Sequence, residues 1–283
     1  MVKQKVKVLF HAQCFDGFAA AYSAWKHFRD QTNVDASYIP VTYYQAFPLS
    51  DEEIKESIIY IIDFSYNRNE LLRVKSLAQK LLILDHHKTA QEDLDGLNFA
   101  VFDMEKSGAM LSWNYFHKKG PVPLIIQYVQ DRDLWTWKLP KSQEINSVIQ
   151  SLSIENTVSD FKEFEKYEER IESNFENIVA EGSAILASIK KYVQLAIDRG
   201  VSMIEISGYK IPAVNTCVFE SEIGNKLLSL YPNSPFSATY YKEANGDEKW
   251  SLRGNGKVDV GAIAKTFGGG GHRDASGFRK TKK

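Results

Sequence analysis

Near its start the chain carries an apolar run, Val6 to His11 (VKVLFH), that reads as a strand. After a short loop, FAAAYSAWKHF sets Phe18, Ala21, Tyr22, Trp25 and Phe28 at i, i+3, i+4, i+7 and i+10, the stripe of an amphipathic helix. A second apolar run, IIYIIDF, ends near Asp63. Asn67 and Glu70 then stand at capping-box spacing before the helical pattern NELLRVKSLAQK. LLILD ends on Asp85, and NFAVFD ends on Asp103 ahead of a further helical pattern, SGAMLSWNYFH. Short apolar strands alternating with helices predict an α/β domain, mainly a parallel sheet with helices on both faces.

From about Asn156 to Arg199 the pattern becomes long, charged and helical, without proline and interrupted only by Gly182. Beyond it VSMIEI, KIPAVN, FSATYY and EKWSLRG read as strands, with helices near SEIGNKLLS and VDVGAIAKTF. The expected division is an α/β domain over 1–150, a helical connector over 151–199, and a smaller α/β or α+β domain over 200–283.

Composition narrows the chemistry. A formal net charge of −1 over 283 residues gives no global positive field to draw in long duplex nucleic acid, although a local cluster of cations suffices for a nucleotide. The two cysteines, Cys14 and Cys217, form no CxxC pair, which excludes a disulfide scaffold and a thiolate zinc finger. The first residues lack the apolar stretch of a signal peptide, and no segment approaches the roughly 20 apolar residues that span a bilayer. The expectation is a cytoplasmic protein without a membrane partner; pairing with a second copy as a homodimer stays open.

Ligands of open parallel sheets collect beyond the carboxyl ends of the strands. His11, Asp63 and Asp85 sit at such ends, and Asp16, His86, His87 and, after PLIIQYVQ, Asp131 and Asp133 join them as strand-end residues. Carboxylates with imidazoles suit manganese, and also iron, cobalt or zinc. Taken singly, each has a structural reading, as a helix cap or a hydrogen-bonded histidine. Asp85-His86-His87, however, follow a buried apolar strand directly, where unpaired polar groups are expensive and coordination offsets the cost. Ser107-Gly108 either begins a helix or offers N–H groups to a phosphate.

Toward the C-terminus, Gly268 to Gly271 followed by His272 let backbone approach a ligand, and N–H groups in such a loop bind anionic oxygens. Gly269, Gly270, Gly271 and His272 are therefore substrate-binding candidates. Arg253 is expected to clamp a phosphate through its planar fork, with Asn215 and Lys265 as further candidates. Tyr240, Tyr241, Trp250 and Phe267 either stack on a base or belong to the core.

These residues fall into five segments that resemble, in order, the motifs of the DHH phosphoesterases: HAQCFDGFAAA, IIDFS, LLILDHHKTA, QDRDLW and FGGGGHRDASGF. The resemblance covers nearly the whole chain. It implies metal ligands at His11, Asp16, Asp63, His86 and Asp131, with Asp63 bridging two cations, manganese by preference. It further implies that His87 faces the substrate phosphoryl group and that Asp85 supports the metal-bound imidazole. Asp133 is left to pair with Arg132 or cap the following turn. The chain departs from the family's Asp-x-Asp-Gly, because Cys14 stands at the first Asp. Cys14 is either a small packed residue or a thiolate ligand favouring a softer ion.

The resemblance implies a two-metal hydrolase that activates water for attack on phosphorus. Its expected substrates are short oligonucleotides or nucleotides of the 3′-phosphoadenosine 5′-phosphate type. A cyclic nucleotide or cyclic dinucleotide phosphodiesterase, a pyrophosphatase or polyphosphatase, and a catalytically inactive nucleotide-binding protein are the competing readings.

Overall fold

A computed structural model describes residues 2–12, 14–118 and 120–282; Gln13 of the first motif lies outside them. By its contacts the chain divides into two units. One holds the chain up to His86 together with Asp93–Leu186. The other holds His87–Glu92 and the chain from Ala187 onward. Among the described residues, no helix is long and apolar enough to cross a membrane.

The first unit carries five strands, β1 (Gln4–His11), β2 (Val34–Val41), β3 (Ser57–Ile62), β4 (Lys80–Asp85) and β5 (Ala100–Phe102), in the order β2-β1-β3-β4-β5 and all parallel. Side-chain alternation along the strands builds two cores. Val6, Val8, Phe10, Tyr60, Ile62 and Leu84 face one side. There they meet α1 (Phe15–Phe28), α5 (Gly108–Phe116), α6 (Leu124–Asp133), α7 (Ser142–Ser151) and α8 (Val158–Ser173). Leu9, Ile59, Ile61, Leu81 and Ile83 face the other, against α2 (Asp51–Lys55) and α3 (Arg68–Leu77). Helices on both faces of a parallel sheet match the sequence pattern.

Three local features differ from the pattern. VDASYIPV lacks clean alternation and contains Pro40, yet forms β2, which pairs only with β1; an edge strand tolerates a residue that cannot donate. PLIIQYVQ forms the helix α6 rather than a strand, because Ile125, Ile126, Tyr128 and Val129 make a buried helical stripe. Asp131 and Asp133 therefore lie in the last turn of a helix, not at a strand end. The long charged segment is two helices, α8 and α9 (Phe175–Gly200), separated at Asn174 (φ −144°, ψ 50°). Thr157 and Asp160 close a capping box at the start of α8, and the unit boundary falls within α9.

The second unit contains α4 (Lys88–Asp93) almost entirely, and a sheet of six strands. These are β6 (Val201–Ile206), β7 (Tyr209–Asn215), β8 (Phe236–Lys242), β9 (Glu248–Gly254), β10 (Gly270–Gly271) and β11 (Ala275–Lys280), ordered β10-β11-β9-β8-β7-β6. β7 and β8 run parallel across the crossover helix α10 (Glu220–Leu230), whereas the other pairs are antiparallel. Tyr240, Trp250 and Phe278 are register partners that stack across three strands, and Phe267, just past α11 (Val260–Thr266), stacks on Phe278. Those aromatics are core rungs.

Gly182 does not break α9. A Cβ there would lie 2.0 Å from the carbonyl oxygen of Glu144 in α7, so the glycine lets two helices of the first unit touch through backbone. Helix propensity alone favours alanine by about 1 kcal/mol. Overpacking costs about 1–3 kcal/mol, and here the obstacle is backbone that cannot rotate away. Gly182→Ala is therefore expected to lower the urea midpoint with an unchanged slope; a higher midpoint would show that α9 and α7 do not meet this closely.

Candidate metal centre

The order β2-β1-β3-β4-β5 reverses direction between β1 and β3, and loops leaving neighbouring strands in opposite directions open a crevice at their carboxyl ends. His11 ends β1, Asp63 follows the last residue of β3, and His86 follows Asp85 at the end of β4. Buried strands thus deliver polar side chains to one place.

Local backbone holds them there. Asp63 is left-handed (φ 52°), a conformation that costs an L-residue about 1–2 kcal/mol. Its N–H donates to Leu84 O at 2.9 Å. Gly108, the first residue of α5, abuts it: a Cβ on Gly108 would stand 2.4 Å from Asp63 Cβ and 2.6 Å from Oδ1. The first two N–H groups of α5, on Gly108 and Ala109, donate to Asp16 at 2.5 and 3.0 Å. That helix start serves a carboxylate of the cluster rather than a phosphate. Asp85, fully buried, accepts from Ser65 Oγ at 2.6 Å and from the His86 N–H at 2.7 Å, so it fixes the turn that presents His86.

Asp63 turns its two oxygens to different partners, Oδ1 lying 3.2 Å from His86 Nε2 and Oδ2 3.5 Å from His11 Nδ1. Asp16 Oδ2 and Asp133 Oδ2 lie 3.5 and 3.6 Å from the same His86 nitrogen. Two donor groups result, Asp16–Asp63–His86 and His11–Cys14–Asp63, each with its ligand atoms within 4.8 Å of one another. Ligands about 2.1 Å from one cation at tetrahedral or octahedral angles stand about 3.0–3.4 Å apart, close to these spacings. The first group is carboxylate and imidazole, whereas the second adds the softer Cys14 sulfur. Both fit a divalent cation.

Electrostatics agree. Burial raises Asp16, the charges of Asp133 and Asp63 add to it, and the result is well above the ordinary carboxylate range despite His86 and Ser107. Burial likewise pushes the Cys14 thiol well up, helped by Asp63, Asp133 and Asp16. Burial works to lower His86, but its hydrogen bond to Asp63 and the charges of Asp133, Asp16 and Asp63 outweigh it, leaving the imidazole well above its usual value. A divalent charge favours the carboxylate, thiolate and neutral imidazole forms that can ligate it.

The placement expected of Asp131 is corrected here: Asp133, not Asp131, lies against His86. Two residues along a helix are about 200° apart, so only one of the pair can face the cluster. Asp131 instead accepts from Thr136 Oγ1 and from the N–H groups of Lys138 (2.8 Å) and Leu139 (3.0 Å). It pins a loop in which Trp135 and Trp137 are both left-handed (φ 56° and 52°), a costly state for bulky side chains.

The remaining candidates lie in the second unit. His87 and His272 stack with centroids 4.8 Å apart, and Lys88 pairs with Asp259. The glycine loop packs closely through backbone. The N–H groups of Gly268, Gly269, Gly271 and His272 donate to Lys265 O, Ala264 O, Thr89 Oγ1 and Ala275 O. A Cβ on Gly269 would meet Gly277 O at 2.1 Å, and one on Gly270 would meet Thr89 Oγ1 at 2.7 Å. Arg253 donates to Ser251 Oγ, Leu252 O and Ser221 Oγ, and Lys265 pairs with Glu92. Asn215 is exposed at the end of β7, lining a mostly apolar cavity of about 600 Å³ with Tyr192, Leu195 and Phe219. Ser65 and Thr89 lie inside the segments IIDFS and LLILDHHKTA without a signal of their own, and Tyr43, whose ring lies 5.3 Å from that of His11, carried none.

No protein-family model matches the chain. It is 33% identical over 286 residues to the uncharacterized protein R106 of Acanthamoeba polyphaga mimivirus, covering 96% of this chain and 66% of that protein. It is 24% identical over 245 residues to oligoribonuclease NrnB of Bacillus subtilis strain 168, covering 80% of this chain and 60% of that one. The chain thus spans less than two thirds of the length of these two curated relatives. Among solved structures, it resembles an uncharacterized protein of Helicobacter pylori G27 with a TM-score of 0.43, 19% identity and coverage of 99% and 94%. It resembles the pGpG-specific phosphodiesterase PggH of Vibrio cholerae with a TM-score of 0.46, 13% identity and coverage of 98% and 93%. Likenesses at these scores decide neither site nor activity.

The separate duties of the two aspartates can be measured. Burial works to raise Asp131, but hydrogen bonds from Ser142, Thr136, Lys138 N–H and Leu139 N–H outweigh it and hold its carboxyl below the ordinary value. A carboxylate depressed in the folded state stabilises above its unfolded pKa of about 3.9 and loses that contribution as pH falls through the folded value. Asp131→Asn is therefore expected to cost about 1.5–3 kcal/mol at pH 7. The difference from wild type should shrink below about pH 4. A pH-independent loss in denaturant titrations would mean that Asp131 does not act as a charge.

Proposed function

We propose that the chain is a divalent-metal-dependent phosphoesterase of the DHH type that hydrolyses short oligonucleotides or nucleotides. The observation that carries this reading is the sharing of Asp63 between two donor groups at the β1/β3 switch point. A bridging carboxylate between two cation positions suits chemistry on phosphorus, in which both the attacking and leaving oxygens carry charge. The five ordered motifs and the alignment with oligoribonuclease NrnB support the same class.

In this reading His86, Asp16, Asp63 and Asp133 hold one manganese ion, and His11, Asp63 and Cys14 hold the second. Bound there, the cations supply Lewis acidity toward phosphoryl oxygen and lower the pKa of water. Asp85 keeps the His86 turn in place, and Asp131 keeps the loop after Asp133 in place. In the second unit His87, His272 and Arg253 are the contacts for anionic substrate oxygens in this reading. The sulfur of Cys14 makes the second position the softer and more weakly manganese-selective of the two. A domain division at 150 and 199, with substrate binding assigned to 200–283, belongs to the same proposal.

The test is turnover after chelation and reloading with manganese, using dinucleotides, 3′-phosphoadenosine 5′-phosphate, cyclic nucleotides, cyclic dinucleotides and pyrophosphate. Activity is expected only with metal and highest on a linear dinucleotide or nucleotide. Asp63→Asn is expected to reduce kcat about a thousandfold or more, as loss of several kcal/mol of charge stabilisation requires. Asp133→Asn should weaken manganese binding with the fold intact. Preference for a cyclic substrate would favour the cyclic-nucleotide reading. Nucleotide binding without metal-dependent product release would leave a sequestering protein.

A further inference from the structure

The loop after α6 contains the most conspicuous aromatic feature that the metal centre does not use. Trp135 and Trp137 are partly buried, meet at 76° with ring centroids 4.9 Å apart rather than stacking, and both sit on left-handed backbone. A left-handed Trp is rare because its Cβ crowds the following carbonyl, and two within three residues persist only where the surroundings over-determine them. They do so here. Asp131 anchors the loop from inside through Thr136, Lys138 and Leu139, and Tyr128 donates to Pro140 O at 2.8 Å. Such anchoring fixes two indoles that stay only partly covered.

Position gives them a use. Trp135 is two residues from Asp133, whose Oδ2 is 3.6 Å from His86 Nε2. At 3.8 Å per Cα step its backbone lies within about 8 Å of the Asp133 backbone. Lys138, exposed, adds a positive charge to the same loop. Anchored indoles and a lysine in the loop that follows Asp133 match the chemistry of base stacking with backbone contact.

We propose that Trp135 and Trp137 form a nucleobase platform beside the metal centre, so that its substrates carry a base next to the scissile phosphate. The proposal deepens the phosphoesterase reading and rests on it for the word substrate, but its binding arm does not need turnover. Inorganic pyrophosphate and sugar phosphates would lack the contact.

Two measurements on the intact chain test it. In the chelated protein, a ribodinucleotide is expected to quench tryptophan fluorescence, and the quench should vanish in Trp135→Gly/Trp137→Gly. Glycine is chosen because it suits the left-handed backbone. Trp135→Phe/Trp137→Phe should keep dinucleotide affinity within about threefold, since every aromatic face can stack. The single Trp135→Leu and Trp137→Leu variants carry the test if the double glycine variant melts early. With manganese, the KM for the dinucleotide should rise about 5- to 100-fold in the glycine variant, the loss expected for one stacked base. The rise on an abasic phosphodiester of equal length should be at least about fivefold smaller. Equal losses on both substrates, or no loss on the dinucleotide, would overturn the platform and leave the indoles as loop packing. Absence of any quench in the wild type would overturn it as well, whatever the hydrolysis. Failure to hydrolyse any phosphoester despite a tryptophan-dependent quench would instead sink the phosphoesterase reading alone.

Discussion

Mutual repulsion of carboxylates crowded at the ends of buried strands is the constraint around which the first unit is organised. Asp16, Asp63 and Asp85 are almost fully buried, and Asp133 joins the first two around one imidazole nitrogen. Removing such charges from water is expensive unless opposite charge or hydrogen bonds replace the solvent. The protein supplies part of that replacement. The start of α5 serves Asp16, Ser65 and the His86 N–H serve Asp85, and the imidazoles of His86 and His11 face Asp63. Burial and the neighbouring carboxylates push Asp16 and Cys14 upward, at His86 burial is outweighed by those carboxylates, and a divalent charge would act in the opposite sense.

Holding like charges together requires backbone that cannot relax away. Gly108 brings α5 against Asp63, and Gly17 brings α1 against His11, where a Cβ would stand 2.3 Å from the carbonyl oxygen. The strained backbone of Asp63 is kept by its hydrogen bond to Leu84 and by the buried carboxyl-end halves of β1 and β4 on either side. Rigidity of this kind is what a coordination site needs, because ligand positions must be set before the ion arrives rather than by it.

The same logic extends to the loop beyond α6. One aspartate of the DRD sequence faces the cluster, and the other turns inward to hold the segment that follows. A helix only two residues further along thus performs two tasks with identical side chains, separated by rotation alone. The second unit uses a different device. Its glycine loop replaces side chains with close backbone packing against β11 and Thr89, and its aromatic residues form rungs across the sheet instead of an open face.

Much of this was legible in the sequence. The apolar runs ending in His11, Asp63 and Asp85 gave the parallel sheet, its two covered faces and the strand ends where polar side chains gather, because burial periodicity and strand ends are local properties. Ligand-type residues were legible at His11, Asp16, Asp63 and His86 for the same reason, each standing within a few residues of a strand end. The edge strand VDASYIPV escaped because Asp35, Ser37 and Pro40 interrupt its apolar residues and most of it is only half-buried, and α6 was misread because four apolar residues in six fit either period. Only the tertiary structure separated Asp131 from Asp133, since helix rotation and capping partners eight residues away decide which carboxylate turns inward. It also showed that the N–H of Gly271, and those opening α5, are committed to oxygens far away in sequence. Hydrogen-bond partners brought from 92 or 182 residues away leave no trace in local pattern, and so the fate of those groups could be read only after folding.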